Sequence, residues 1–186
     1  MKRRQFFQNS IVAVSATTIT DFDTSRIADR EVFKTAAGEG RKHGHIQLKG
    51  VNENVIDIKI SGKDTNGDFL MFEQTSLSPK RGTPLHLHYN QDEVFFVLEG
   101  EYLFQVGEEK FTLRRGDTIF LPRNVPHAWS QLLDKGKMIV TLQPAGKLEE
   151  FFLTMSAMKT VPSAAEVAKI FEENEMKVVG PPLKIE

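Results

Sequence analysis

From His45 onward, apolar and polar residues alternate with a period of two. Val55-Ile56-Asp57-Ile58-Lys59-Ile60 places every second side chain on one face, and Gly62 to Gly67 (GKDTNG) supplies a turn. Strand patterns return at Phe69 to Thr75, Leu85 to His88, Glu93 to Leu98, Glu101 to Val106, Lys110 to Arg114, Thr118 to Leu121, His127 to Leu132 and Lys137 to Gln143, punctuated by glycine and proline. Short strands at steady spacing, with no helix alternating between them, predict an all-β antiparallel sandwich or barrel over 45–145. After Pro144 the period changes. Lys147 to Met158 and Ser163 to Met176 have helical spacing, and Ser163 with Glu166 three residues on reads as a capping box. The stripe of Phe151, Phe152, Met155 and Met158 is read as covering the barrel rather than as a lid on a pocket. The tail VVGPPLKI is extended and too apolar for a free end. Residues 146–186 therefore form a C-terminal α-helical extension and tail. Residues 21–44 are polar and serve as a connector, with a short helical turn near Ser25 to Val32.

Composition narrows the function classes. Among 186 residues, 24 basic and 25 acidic side chains leave a net charge of −1, which gives no electrostatic case for nucleic acid or an anionic membrane. There is no cysteine, so disulfides, thiolate metal sites and a cysteine nucleophile are excluded. No apolar run approaches the ~20 residues that a membrane-spanning helix needs. Residues 1–20 begin Lys2-Arg3-Arg4-Gln5-Phe6-Phe7 and continue without charge to Thr20. Arg3-Arg4-Gln5-Phe6-Phe7 resembles a twin-arginine export signal, the alternative being a basic N-terminal arm. Export to the periplasm is the expectation from the first reading, a cytoplasmic location from the second.

The chemistry concentrates in PLHLHYNQDE, residues 84–93, and in LPRNVPHAW around His127. On a strand, His86 and His88 project from one face while Leu85 and Leu87 pack on the other. Glu93 opens the next strand, and His127 follows a proline-rich loop. Three imidazoles and one carboxylate make a mixed nitrogen and oxygen set that suits Fe, Mn, Ni, Co, Cu or Zn. A lone His-x-His is as readily a decorated strand; a glutamate and a third histidine at the mouths of β-elements shift the balance to one divalent metal. His43 and His45 form a second His-x-His, but a glycine interrupts it and no glutamate follows at matching spacing. It is read as a solvated loop pair.

At these residues the chain resembles the cupin superfamily. The first cupin motif is matched by His86, His88, Glu93 and Gly100, the second by Gly116, Pro122 and His127. It departs from the pattern at three places: Gly82 stands nearer to His86 than the family's leading glycine, Asn124 replaces a glycine, and Gln131 replaces the closing asparagine. Asparagine tolerates positive φ, and none of the departures touches a candidate ligand. The resemblance implies a small β-barrel of jelly-roll topology and a homodimer. Its C-terminal extension ending in Gly180-Pro181-Pro182 is similar to those of small single-domain cupins that look like quercetin 2,3-dioxygenases.

That resemblance points to a metal-dependent dioxygenase, an oxidoreductase acting with O2 on an aromatic or enol-containing small molecule without an organic cofactor. His86, His88, Glu93 and His127 are the expected metal ligands. Glu93 is also the expected catalytic base, taking a substrate hydroxyl proton. Strand alternation nominates Phe95 and Trp129 for the substrate pocket, with Phe72, Phe104 and Met138 as further candidates. Two other readings stand beside this one: a metal-dependent isomerase or epimerase, and a non-catalytic cupin that binds a sugar or other small molecule.

Overall fold

The computed structural model describes residues 31–185; the export-like segment and, but for Glu31 and Val32, the helical turn expected near Ser25 to Val32 lie outside the described residues. Among the described residues eleven strands and two α-helices, with a 3-10 turn at Gly62–Asp64 after β2, follow in the order β1 (His45–Gln47), β2 (Val55–Ile60), β3 (Leu70–Ser76), β4 (Pro84–His88), β5 (Asp92–Glu99), β6 (Glu101–Val106), β7 (Glu109–Arg114), β8 (Thr118–Leu121), β9 (His127–Gln131), β10 (Gly136–Gln143), α1 (Leu148–Ala157), α2 (Ala164–Glu173) and β11 (Met176–Pro182). They form two antiparallel sheets, β1-β2-β3-β10-β5-β8 and β11-β4-β9-β6-β7, in a jelly-roll barrel.

The period-two pattern translates directly into burial. Along β10 the side chains of Met138, Val140 and Leu142 face inward while their neighbours are half-buried or exposed. Ile56 and Ile58 of β2, Leu70 and Phe72 of β3, Phe95 and Val97 of β5, and Tyr102 and Phe104 of β6 meet them between the sheets. Each such side chain removed from water contributes about 1.5–3 kcal/mol. Asn124, at φ 62°, takes the left-handed turn between β8 and β9 in place of the glycine of the family pattern.

The C-terminal extension is part of the barrel. Ser163 caps α2 and Glu166 closes the capping box, as the sequence predicts. The apolar tail becomes β11, an edge strand paired antiparallel with β4, the strand that carries His86 and His88. Its prolines are tolerated because an edge strand leaves one row of backbone groups unpaired. α1 lays Phe152 edge-on against Phe72 of β3 at 4.9 Å, and Phe151 edge-on against Phe171 of α2 at 4.8 Å.

The second His-x-His is exposed, as expected of a solvated pair, but only His43 lies in a loop. His45 begins β1 opposite Asp57 of β2, and its Nδ1 lies 2.6 Å from Asp57 Oδ1. His43 Nε2 lies 2.7 Å from Oε1 of Glu149, a buried residue in the first turn of α1 that also accepts a hydrogen bond from Ser61 Oγ. The two histidines thus serve different carboxylates and tie the barrel's opening strand to α1 and β2.

Candidate metal centre

His86 and His88 stand on β4, His127 on the neighbouring β9, and His86 pairs with His127 across the ladder. Glu93 comes from β5 in the opposite sheet, so the four side chains meet in the space between the sheets. All four are at least nine-tenths buried. One ring nitrogen from each histidine lies within 4.8 Å of the others. Glu93 Oε2 is 3.6 Å from His88 Nε2 and 3.5 Å from His127 Nε2.

Backbone carbonyls fix two of the rings. Nδ1 of His86 lies 2.9 Å from the Pro84 carbonyl, and Nδ1 of His127 lies 3.0 Å from the Val125 carbonyl. A carbonyl only accepts, so each Nδ1 carries the hydrogen and each Nε2 presents a lone pair. His127 Nε2 is buried with no hydrogen-bond partner. A buried acceptor left unmet in this way is costly unless something electron-poor occupies the space it faces.

Burial dominates the electrostatics. It pushes His86 down to about 3, helped by the adjacent His127, and His127 down to about 4. His88 is driven well below its ordinary value by burial and then by His86 and His127. Burial raises Glu93 to about 7. The imidazoles are therefore neutral at neutral pH, the form that ligates a cation. Two donors on one ion, each at about 2.1 Å, can stand at most ~4.2 Å apart, and both glutamate–histidine separations fall inside that limit. The lone pairs, the orphaned Nε2 and the carboxylate are donors of the kind a divalent transition metal takes, which makes the buried histidine triad, with Glu93 beside it, the candidate site.

A cavity of about 60 Å³ opens beside this cluster, lined by His86, His88 and Glu93. Of the side chains nominated for the pocket, Phe72, Phe95 and Trp129 are on its wall. Phe104 and Met138 are not: both are fully buried in the core, and Phe104 packs edge-on against Phe95 at 5.1 Å. Much of the remaining wall comes from the extension, through Phe151, Phe152 and Met155 of α1 and Phe171 of α2. The stripe read as a barrel cover is thus also cavity wall, and Phe171 sits edge-on to the His86 ring at 5.2 Å. Helical periodicity announced a buried face on α1 and α2, but nothing in it named what that face would enclose. Asn52 and Gln74, both buried, add amide groups to a mostly apolar lining, which Lys49 and Thr83 also reach.

Residues 74–143 match the family described as Cupin domain. An uncharacterised protein of Methanocaldococcus jannaschii is 44% identical over 45 residues, which are 24% of this chain and 36% of that protein. The chain thus spans little more than a third of that relative's length. Among solved structures, a predicted oxalate decarboxylase from Thermotoga maritima superposes with a TM-score of 0.52 at 15% identity, covering 61% of this chain and 99% of that one. An RmlC-like cupin from Shewanella frigidimarina gives a TM-score of 0.50 at 17% identity, covering 62% and 94%. At these identities the likeness is one of fold.

Proposed function

We propose that this chain, whose residues 74–143 match the Cupin domain family and whose fold is that of the cupins, is a mononuclear metal-dependent oxygenase of quercetinase-like type, acting with O2 on an enol-containing or aromatic small molecule. The observation that carries the reading is a buried set of three imidazoles and one carboxylate opening on a cavity walled by aromatic side chains. When bound, a divalent transition metal supplies the Lewis acidity and redox capacity that such chemistry needs.

The remaining roles belong to the chain. His86, His88, His127 and Glu93 would hold the ion. Glu93 would also receive the proton of the substrate hydroxyl at its carboxylate. Phe72, Phe95, Trp129 and Phe171 hold the substrate flat and exclude water. Size favours the smaller members of the class. At about 60 Å³ the cavity is well below the ~150 Å³ of a void that takes up benzene, so a compact enol fits before a three-ring flavonoid does. An apolar wall with few amides also supports this reading over a sugar binder.

The test is metal analysis of the purified protein, then oxygen-electrode assays of small enols, catechols and flavonols with Fe, Mn, Ni and Co each loaded. Oxygen consumption with one substrate class is the expected result. No uptake across the panel defeats the oxygenase reading, and turnover without oxygen replaces it with an isomerase. A homodimer belongs to the same proposal, and light scattering on the full chain decides it.

A further inference from the structure

The cavity beside the histidines has a polar end. In the sheet that carries Glu93, Leu142 of β10 pairs with Glu93 of β5 and with Leu70 of β3, so these three residues share one level. Phe72 and Phe95 share the next inward level through Val140, and Gln74 stands one inward level further on, opposite Met138. Four strand residues advance about 13 Å, so Gln74 is remote from Glu93, yet both line the same cavity. At about 60 Å³, a cavity that reaches both is a narrow slot, and it takes a short open chain more readily than a ring.

Asn52 stands at the Gln74 end. β2 runs antiparallel to β3, so the residues before Val55 lie past Thr75, and the Leu77 backbone N–H donates to Asn54 Oδ1 at 2.9 Å. Asn52 and Gln74 are 3% and 5% exposed, and both are cavity wall. Each amide has one end tied within the chain. Asn52 Oδ1 accepts from the Asn54 backbone N–H at 3.2 Å. Gln74 Nε2 donates to Ser76 Oγ at 3.0 Å, and Ser76 Oγ also accepts from Tyr102 Oη at 2.8 Å. Ser76 and Tyr102 are fully buried, which holds the glutamine amide in place. Among the described residues the other end of each amide has no partner, so Gln74 keeps an acceptor, Oε1, and Asn52 a donor, Nδ2. Neither atom is sealed in by packing, as the Ser130 hydroxyl is.

We propose that Gln74 is a specificity-determining residue: its Oε1 accepts from, and Asn52 Nδ2 donates to, a hydroxyl at the end of the substrate remote from the metal ligands. The substrate class is then a short open-chain enol or ketone with a distal hydroxyl. This rests on the reading of the cavity as the substrate site of a metal centre and is independent of which reaction follows. A hydroxyl both donates and accepts, so it satisfies the two amides at once. A methyl group in its place leaves both of them buried and unmet, which costs binding. A carboxylate only accepts, and Gln74 Oε1 opposes it.

The experiment is calorimetric titration of the Co(II)-loaded full chain with three short hydroxamates, which chelate a metal through two oxygens as an enolate does. They are propanohydroxamate and its 3-hydroxy and 3-fluoro derivatives; fluorine is close to hydroxyl in size but donates no hydrogen bond. The hydroxy compound is expected to bind about 10–100-fold tighter than the other two. In Gln74→Leu that preference is expected to fall below about threefold with Co(II) uptake unchanged. Hydroxy and fluoro compounds within about twofold of each other in the wild type overturn the proposal, as does a preference that survives intact in Gln74→Leu. Should Gln74→Leu fail to fold, the comparison of hydroxy with fluoro compound in the wild type decides alone. A chain that takes up Co(II) but binds none of the three at millimolar concentration removes the reading of the cavity as a substrate site. One that takes up no Co(II) removes the metal centre, and either result takes this inference with it.

Discussion

His127 Nε2 and Glu93 Oε2 face each other at 3.5 Å from opposite sheets, and the imidazole nitrogen has no hydrogen-bond partner. A fold that cared only for stability would fill this space with apolar groups, because buried charge and unmet polar atoms cost free energy. The pair makes sense as half of an ion's coordination shell, and its cost in the metal-free chain is measurable.

Glu93→Gln should raise the stability of the metal-free protein while lowering its metal affinity. Burial lifts Glu93 from 4.5 to about 7, so the folded state holds this proton more tightly than the unfolded chain does. Stability is then lost as pH rises from 4.5 through 7, and the penalty is complete above that. Glutamine cannot ionise and escapes it. The expected gain is about 1–3 kcal/mol at pH 8, vanishing below pH 4.5, read from denaturant unfolding of both proteins. Equal stability at pH 8 would mean that Glu93 is not destabilised by its burial. If turnover is found, the same variant with metal retained tests Glu93 as the base: unchanged activity removes that role.

Acid should unfold the metal-free protein through its histidines. His86, His88 and His127 sit below the ordinary 6.5, so between 6.5 and their folded values the unfolded chain binds up to three more protons than the folded one. Glu93 works against this by one proton in the window from 4.5 to 7. The net of about two protons makes stability fall by about 2–3 kcal/mol per pH unit as pH drops through 5. Circular dichroism across a pH series gives the slope. A flat profile from pH 6.5 to 5 would place the three rings in water rather than between the sheets.

How much of this was legible in the chain depends on what a period can say. Alternation places His86 and His88 on one face and Phe95 in phase with Glu93, and the spacing of the motif brings His127 to the same end. Alternation reports only inward or outward, however, and the inward face of a barrel is cavity wall at one depth and packed core at another. Phe104 and Met138 share the phase but not the depth. The ceiling of the cavity was hidden for a different reason. Phe151, Phe152 and Phe171 lie far along the chain from the motif, and their approach to His86 is set by tertiary packing that a helical stripe does not encode. The tail Val178-Val179-Gly180-Pro181-Pro182 signalled a need for cover, but not that β4 would provide it.

Phe171→Ala should both loosen the fold and enlarge the site. The ring is 2% exposed and packs against His86 at 5.2 Å and Phe151 at 4.8 Å between ring centroids, so its loss removes a shared packing partner of α1 and of a candidate metal ligand. Truncations of this kind cost about 3–5 kcal/mol. Equilibrium unfolding of the metal-free protein gives the cost. A parallel assay should find single-ring substrates, of the size of benzene, admitted that the wild type refuses. A loss below about 1 kcal/mol would mean that α2 is only loosely seated on the barrel.

The tightest backbone approach near the site is at Gly82, which forms an isolated bridge to Ser130 of β9 just before β4 begins. A Cβ at this position would lie 1.6 Å from the Trp129 carbonyl oxygen, far inside any permitted contact. The obstacle is backbone and cannot swing aside as a side-chain tip could. Trp129 and His127 share β9, so any shift that accommodates Gly82→Ala must move the strand that carries a ligand. The substitution is expected to cost more than about 4 kcal/mol, which falls among the rare severe effects of single changes. In a protein with a typical reserve of about 5–15 kcal/mol, that leaves a poorly populated native state. Soluble yield and the thermal midpoint measure the outcome, and the small residue is what matters, so Gly82→Ser should be no better than Gly82→Ala. A Gly82→Ala protein with wild-type stability and metal affinity would show that β4 and β9 do not need this close crossing to bring His86 and His127 together.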